Sequence, residues 1–219
     1  MRNHAMRWLK RAAVGAAALA VVGSGLYATT ANGDINWDIS WSDQKASTTT
    51  ASTSTATTSF EEIWDLLRLA RTTAPFHHVQ NALDAGWSEE PMCMDYPDGY
   101  MGEGPGTMGH HFFNVAYLTD GGRLDPTEPE LLVYEKRADG SWRLNAVEYI
   151  VPARDLPGTA PAPEMFGGHK LVWHPEVGTA GVWGLHVWLW RHNPHGLYAE
   201  VNPNVTCAHS GAAATHTHH

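Results

Sequence analysis

Two runs with a β-strand pattern, residues 131–136 and 141–151, flank the dipeptide Asp139-Gly140. In a strand, successive side chains point to opposite faces of the sheet, which gives an apolar pattern with a period of two. Asp-Gly between two such runs indicates a tight hairpin, since glycine readily adopts the positive φ that these turns require. The sequence therefore predicts an antiparallel strand pair, and the rest of the chain has to fold around it.

Further strands are predicted at residues 108–119, 170–173 and 184–191, with Pro-rich connections between them. Residues 87–107 contain several Gly, Pro and Met and are predicted to form a long loop. Several short strands joined by turns and long loops favour an antiparallel β-sandwich or barrel.

Two helices are predicted before the strands. Ser59 and Glu62 have the spacing of a capping box, and apolar residues then recur at helical spacing to about Arg71. A second helix is predicted between Pro75 and Gly86, because proline is typical of a helix start and glycine of a helix end. The expected fold class is therefore α+β and β-rich, with two N-terminal helices ahead of the sandwich or barrel.

Residues 1–31 have the layout of a secretory signal peptide, with a basic start, an apolar stretch at 12–23 and small residues after it. An uncleaved membrane anchor is the alternative, but the stretch is short and weakly apolar for a span of about 20 residues. We therefore expect a secreted or periplasmic protein that has no membrane contact after signal cleavage.

The signal would be followed by a disordered Ser/Thr-rich tether at 32–59, a single β-rich domain at 60–207 and a disordered His-containing tail at 208–219. Removal of residues 1–31 takes away four basic and no acidic residues, so the formal net charge moves from −9 to −13. A charge of this sign and size disfavours binding to nucleic acid and to anionic membranes.

The chain contains two cysteines, Cys93 and Cys207. An exported chain meets an oxidising environment, so a disulfide that joins the start of the folded region to its end is predicted. The alternative is a thiolate ligand for copper or zinc.

Glu148 lies in a predicted strand in which alternation places it on one face with Trp142, Leu144, Ala146 and Ile150. It is the lone charge in this apolar row. Because an isolated buried carboxylate is costly, Glu148 is expected to be paired, hydrogen-bonded, protonated or bound to a metal.

Two histidines are expected to face the same interior. His186 lies in a strand that is apolar on both faces, which is the pattern of a central, covered strand, and it would share its face with Trp188 and Trp190. In the strand predicted at 108–119, alternation separates the adjacent histidines and favours His111 as the inward residue, with His110 at the rim.

Two imidazoles and one carboxylate on a rigid sheet could bind one zinc, iron or copper ion and leave coordination positions open, as catalytic sites require. The sequence therefore predicts a mononuclear site of His111, Glu148 and His186, and a small-molecule ligand for it. A buried, metal-free Glu-His network in a binding module is the alternative. Three further residues are reserve ligands that we interpret as ordinary loop residues: Glu103, His169 and His174.

Four methionines, Met92, Met94, Met101 and Met108, lie close together in the sequence. Their thioethers could bind copper(I), which would make the protein a non-catalytic copper or zinc carrier. The alternative is that methionine fills irregular gaps beneath a long loop.

Four motifs carry a resemblance to other proteins: Met108-Gly-His-His-Phe-Phe-Asn114, Leu124-Asp-Pro126 with Pro129-Glu-Leu-Leu-Val-Tyr134, Val147-Glu-Tyr149 and the segment from His186-Val-Trp-Leu-Trp190 to Cys207. They resemble a group of exported bacterial proteins, of no assigned activity, with Met-Gly-x-His-x-x-Asn, Val-Glu-Tyr and His-Val-Trp-x-Trp-x-x-Asn-Pro motifs. The resemblance covers residues 76–207 and implies site residues at His111, Glu148 and His186. It supports a site and names no reaction or substrate.

Overall fold

The computed structural model describes residues 59–211, together with the backbone of residues 20–22, 25–27 and 213–215. Most of the predicted signal peptide and tether therefore lies outside the described residues. Two short strands in the signal region, β1 (Ala20–Val22) and β2 (Gly25–Tyr27), pair with each other in antiparallel fashion. No helix in the described part of the chain has the length and apolar character needed to span a membrane.

Short helices lie before the central sheet and after one of its strands. The helical elements are α1 (Phe60–Thr73), a 3₁₀ turn (Ala74–His77), α2 (Val79–Asp84) and α3 (Val115–Leu118). Ser59 caps α1, since its Oγ accepts a hydrogen bond from the backbone nitrogen of Glu62 at 3.1 Å. The buried face of α1 carries Leu66, Leu69 and Ala70, which pack against the sheet.

The other regular elements of the described chain are β-strands. The other strands are β3 (Trp87–Tyr96), β4 (Gly106–Asn114), β5 (Leu131–Lys136), β6 (Trp142–Pro152), β7 (Glu164–Met165), β8 (His169–Lys170), β9 (Val172–His174), β10 (Val182–Val187) and β11 (Ala213–Thr215). A single sheet has the order β11-β3-β4-β5-β6-β10-β9, in which β11 is parallel to β3 and the other neighbours are antiparallel. The prediction of a strand-rich, antiparallel fold is confirmed, but the six antiparallel strands form one curled sheet, a half-barrel.

The predicted hairpin is present. Strands β5 and β6 are antiparallel neighbours, and Gly140 in the turn between them has a φ of +81°. Asp139 stabilises the turn, because its Oδ1 accepts hydrogen bonds from the nitrogen and the hydroxyl of Ser141.

The prediction of a long loop at 87–107 is wrong for its first ten residues, which form β3, and the loop is confined to residues 97–105. The pairing of β3 with β4 shifts register between Glu89 and Cys93 and again after Met94. Such β-bulges interrupt the alternation that identifies a strand in a sequence, and they allow Pro91 to lie within it.

Two strands are shorter than predicted. The strand predicted at 108–119 ends at Asn114, whose Oδ1 accepts a hydrogen bond from the backbone nitrogen of Ala116 and caps α3. The strand predicted at 184–191 ends at Val187, where the backbone nitrogen of Leu189 turns back to the carbonyl of Val187. Residues 170–173 are divided between β8, which pairs with β7, and β9, which joins the central sheet.

The central sheet has an apolar face and a polar face. The apolar face packs on α1 and α2 and carries a large cluster of buried side chains: Phe112, Leu132, Tyr134, Leu144, Val147, Tyr149, Val151, Leu185 and Val187. The polar face carries His111, Glu148 and His186 next to a small cluster formed by Val133, Ala146, Trp188 and Val205. Residues 188–210, here called the C-terminal segment, contribute Trp188 and Val205 to this second cluster.

A β-bulge at Asn145 corrects one part of the face prediction. Val133 and Tyr134 of β5 pair with Ala146 and Leu144 of β6, so Asn145 is an extra residue between them. An extra residue reverses the alternation, and Leu144 therefore lies on the apolar face while Ala146 and Glu148 lie on the polar face. Trp142 likewise packs against the apolar cluster instead of sharing a face with Glu148.

A disulfide joins Cys93 in β3 to Cys207 in the C-terminal segment, as predicted. The described structure continues beyond this bond into the start of the predicted tail. Ser210 is buried, with its Oγ 2.6 Å from Nε2 of His110, and β11 pairs with β3. These contacts attach the start of the tail to the sheet.

Candidate metal centre

The three predicted ligands come together on the polar face. Glu148 of β6 and His186 of β10 are directly opposite in the strand ladder, and His111 reaches them from β4, across β5. The Oε2 atom of Glu148 lies 3.3 Å from Nε2 of His111 and 3.6 Å from Nε2 of His186. One ligand atom from each residue lies within 4.8 Å of the other two.

These distances fit a single metal ion. Two ligands that bind one tetrahedral ion at about 2.0–2.1 Å are themselves about 3.3–3.5 Å apart. The two Glu148–histidine distances of 3.3 and 3.6 Å therefore leave room for an ion between the three ligand atoms. The cluster could hold a metal.

The candidate ligands are almost completely buried: the exposed fraction is 7% for His111, 7% for Glu148 and 1% for His186. Neither ring nitrogen of His186 has a hydrogen-bond partner among the described residues, since its nearest carboxylate oxygens lie at 3.5 and 3.6 Å. Buried polar atoms nearly always have a partner. A bound metal ion would satisfy Nε2 of His186.

Burial and neighbouring charges shift the pKa values of His111 and His186 in opposite directions. Burial lowers the pKa of His111 to about 3, with a further contribution from His186, so His111 is neutral and keeps a lone pair for a metal. Burial also opposes a charge on His186, but the carboxylates of Glu148 and Glu200 outweigh it and raise the pKa to about 9. Burial raises the pKa of Glu148, and His186 partly offsets that effect.

Two further residues, Glu200 and His174, extend the cluster. The sequence did not single out Glu200, and His174 was interpreted as an ordinary loop residue. Oε2 of Glu200 lies 3.5 Å from Nδ1 of His186 and 3.6 Å from Nε2 of His174, and both added side chains are buried. Glu200 lies in irregular chain, where strand alternation gives no prediction. Its one signal was that it is a lone charge between Ala199 and Val201.

His174 links the cluster to the protein surface. Its Nδ1 lies 2.9 Å from the hydroxyl oxygen of Tyr100, and the single hydrogen of that hydroxyl is donated to Glu176. Burial and this bond to Glu176 raise the pKa of the Tyr100 hydroxyl, which therefore stays protonated. A depression of about 540 Å³ opens beside these side chains, and its lining includes Asp98, Tyr100, Met101, Glu103 and Glu176.

The other reserve ligands have different environments. Glu103 accepts hydrogen bonds from the backbone nitrogens of Glu200 and Val201 at 2.9 and 3.1 Å, so it anchors the chain that carries Glu200. The ring of His169 packs against that of Tyr198, with the ring centroids 3.8 Å apart. Its Nε2 lies 3.4 Å from Oε1 of Glu62 in α1.

Of three aromatic residues near the centre, Trp188 lies where the sequence predicted it, whereas His110 and Trp190 do not. His110 is on the face opposite His111, as predicted, but it is buried against Trp142 and is not at the rim. Trp188 stacks on His186 at 5.8 Å, as expected for a shared face. Trp190 lies on the apolar side, because β10 ends at Val187 and strand alternation no longer applies. Its Nε1 donates a hydrogen bond to the hydroxyl of Thr73.

The four methionines divide into two pairs. Met92 and Met101 are exposed, at 43% and 51%. Met94 and Met108 pack in a small apolar cluster that includes Tyr96 and Tyr100, as expected for methionine that fills gaps. The pairing of Cys93 with Cys207 also removes the predicted alternative of a thiolate ligand.

No protein-family model matches the chain, and no curated protein or solved structure shows significant similarity to it. The resemblance to exported bacterial proteins therefore stays a prediction. The function is inferred from the geometry of the cluster.

Proposed function

We propose that this chain is an exported metal-binding protein in which His111, Glu148 and His186 hold one divalent transition metal ion, zinc, iron or copper. The observation that carries the proposal is the position of Oε2 of Glu148, which lies within 3.6 Å of Nε2 of both histidines in a buried site. Export is supported by the signal pattern at 1–31 and by the Cys93–Cys207 disulfide, a bond typical of oxidising compartments.

The ligand types narrow the choice of metal. Imidazole nitrogens suit zinc, iron and copper, whereas calcium and magnesium prefer oxygen ligands. Two histidines and one carboxylate are found in catalytic zinc sites and in non-haem iron(II) oxygenases, where three protein ligands leave positions open for water or substrate. This ligand count favours a metalloenzyme that acts on a small molecule over a purely structural site.

The protein's own groups are suited to hold the metal. The carboxylate of Glu148 offsets part of the metal charge, and His111 presents a neutral nitrogen that needs no deprotonation. A small-molecule ligand would bind in the depression lined by Tyr100, whose hydroxyl contacts His174, although none of the three candidate ligands lines it. When bound, the metal would supply a Lewis acid with open positions.

Metal analysis of the purified full-length protein tests the proposal. Three of the four tail histidines, His216, His218 and His219, should be replaced by alanine in every variant, because this cluster can bind metal adventitiously. Substitution is preferable to truncation, since Ser210 contacts His110. We expect one equivalent of metal in this parent protein and almost none after His111→Ala.

His169→Ala is the matched control, because His169 lies against Tyr198 and Glu62, away from the cluster. It should retain the full equivalent of metal. A parent protein without stoichiometric metal would leave the metal-free Glu-His network as the correct description. A His111→Ala variant that retains the full equivalent would show that the metal binds without His111, which also contradicts the proposed site.

A copper carrier is the second candidate, and the exposure of Met92 and Met101 favours it. Copper(I) affinity can be measured by competition with a chromophoric chelator. Under the carrier hypothesis, Met92→Leu with Met101→Leu weakens copper(I) binding by at least about tenfold. Under the main proposal the double substitution leaves the metal content unchanged, because neither residue belongs to the His111–Glu148–His186 cluster.

A further inference from the structure

We propose that Glu200 positions His186 for the metal: its carboxylate accepts the Nδ1 hydrogen of His186, which leaves the lone pair of Nε2 directed at the ion. This inference rests on the proposed function. Metal-binding histidines commonly donate their second ring N–H to a carboxylate, which fixes the tautomer and the orientation of the ring.

The two nitrogens of His186 face two different carboxylates. Nε2 lies 3.6 Å from Oε2 of Glu148, inside the candidate ligand cluster, and Nδ1 lies 3.5 Å from Oε2 of Glu200. Neither oxygen of Glu200 has a hydrogen-bond partner among the described residues, although the side chain is buried. At 3.5 Å the contact is longer than a hydrogen bond, and under this proposal the bond would form when Nε2 binds the metal.

The backbone around Glu200 is held independently of its carboxylate. Glu103 accepts the backbone hydrogens of Glu200 and Val201, and Nε1 of Trp188 donates to the carbonyl of Ala199 at 2.6 Å. A substitution of the Glu200 side chain therefore leaves these contacts in place. The effect of such a variant can be assigned to the carboxylate.

His174 lies on the other side of the same carboxylate. Its Nε2 lies 3.6 Å from Oε2 of Glu200, and its Nδ1 contacts the hydroxyl of Tyr100. Gly184 provides the space for this arrangement, since a Cβ there would lie 3.2 Å from Oε1 of Glu148 and 3.2 Å from Nε2 of His174.

Glu200 is a positioning residue and not a ligand. Its oxygen faces Nδ1, whereas the atom of His186 that faces Glu148 is Nε2. The group of side chains whose ligand atoms all lie within 4.8 Å of one another consists of His111, Glu148 and His186, without Glu200.

The test compares Glu200→Gln with Glu135→Gln in the full-length parent protein, in which His216, His218 and His219 are replaced by alanine. Glu135 is a matched control, because it is also buried and accepts the backbone nitrogen of Thr206 in the C-terminal segment. Zinc affinity is measured by chelator competition, and the visible absorption spectrum of the cobalt(II) form reports ligand geometry. Unfolding of the metal-free variants by urea shows whether each one folds.

We expect Glu200→Gln to bind one equivalent of zinc about 10–100-fold more weakly and to change the cobalt(II) spectrum, while Glu135→Gln leaves both unchanged. A folded Glu200→Gln variant with parent-like zinc affinity and cobalt(II) spectrum would overturn this inference alone. Loss of a separate second equivalent of zinc would also overturn it, since Glu200 would then be a ligand. A parent protein that binds no zinc, cobalt, iron or copper would instead overturn the proposed function.

Discussion

The two faces of the central sheet bury different chemistry on the same strands. Leu185 and His186 are neighbours in β10, and both are at least 98% buried, yet Leu185 belongs to the apolar cluster beneath α1 whereas His186 contacts two carboxylates. The apolar face contributes stability through burial, at about 1.5–3 kcal/mol for a large aliphatic side chain. The polar face places ionisable atoms without hydrogen-bond partners in the same interior, which is costly.

The difference shows that the polar face is not explained by stability. Replacement of a buried ionic cluster by apolar residues of similar size is often neutral or stabilising in proteins. A sequence that keeps His111, Glu148, His186, His174 and Glu200 on one buried face is therefore expected to use them. The distances of the first three fit a metal ion.

The first way to test the comparison is to remove the disulfide that ties the C-terminal segment to β3. The bond joins residues 114 apart, and closure of a loop of that length stabilises by about 4–5 kcal/mol on the chain-entropy account. We expect Cys93→Ala with Cys207→Ala to lose roughly this free energy of unfolding in urea. A loss below about 1 kcal/mol would mean that noncovalent contacts alone hold the segment.

The second test exchanges side chains on both faces. Leu185→Ala should lower the free energy of unfolding by about 3 kcal/mol, because it removes buried methyl groups and leaves a cavity. The quadruple variant His111→Leu, Glu148→Met, His186→Leu, Glu200→Met should lose little stability or gain about 1–2 kcal/mol without metal, since the buried histidines are removed together with the carboxylates that face them. Urea unfolding in the presence of a chelator measures both, and a quadruple variant as damaged as Leu185→Ala would contradict the comparison.

Strand alternation alone predicted the position of the candidate site. His111, Glu148 and His186 were each selected because one polar residue lay among apolar residues in a strand, and the structure brings all three together. The hairpin and the disulfide were predicted from equally local signals, an Asp-Gly pair and two cysteines in a chain expected to be exported. These features can be predicted from residues close in sequence or from the number of cysteines.

Features that depend on irregular backbone were not predicted. The bulge at Asn145 places Leu144 on the face opposite to the predicted one. The bulges of β3 interrupt its side-chain alternation, so the segment was predicted to be a loop. Glu200 was missed because its position is set by hydrogen bonds from its own backbone to Glu103, a contact between two segments about 100 residues apart. No pattern within a short window contains that information.

The third test separates the cluster from an ordinary buried carboxylate. Burial raises the pKa of Glu130 to about 8, although Oε2 accepts the backbone nitrogen of Ile150, and this residue lies outside the candidate metal cluster. A folded-state pKa above the ordinary value means that the folded protein binds the proton more tightly than the unfolded chain. The stabilisation is present below about pH 4.5 and is lost as the pH rises towards 8.

Glu130→Gln keeps an acceptor for Ile150 and removes the titration, so the free energy of unfolding of the unmodified protein should fall relative to that of the variant as the pH rises. The expected change is about 1 kcal/mol between pH 6 and pH 7, since one pKa unit corresponds to about 1.4 kcal/mol. Urea unfolding at both pH values measures it, with the exposed Glu164→Gln as a control that should show no change. Parallel pH profiles for the unmodified protein and Glu130→Gln would show that Glu130 is ionised in the folded state, and that the polar face is not the only place where this fold accommodates a buried charge.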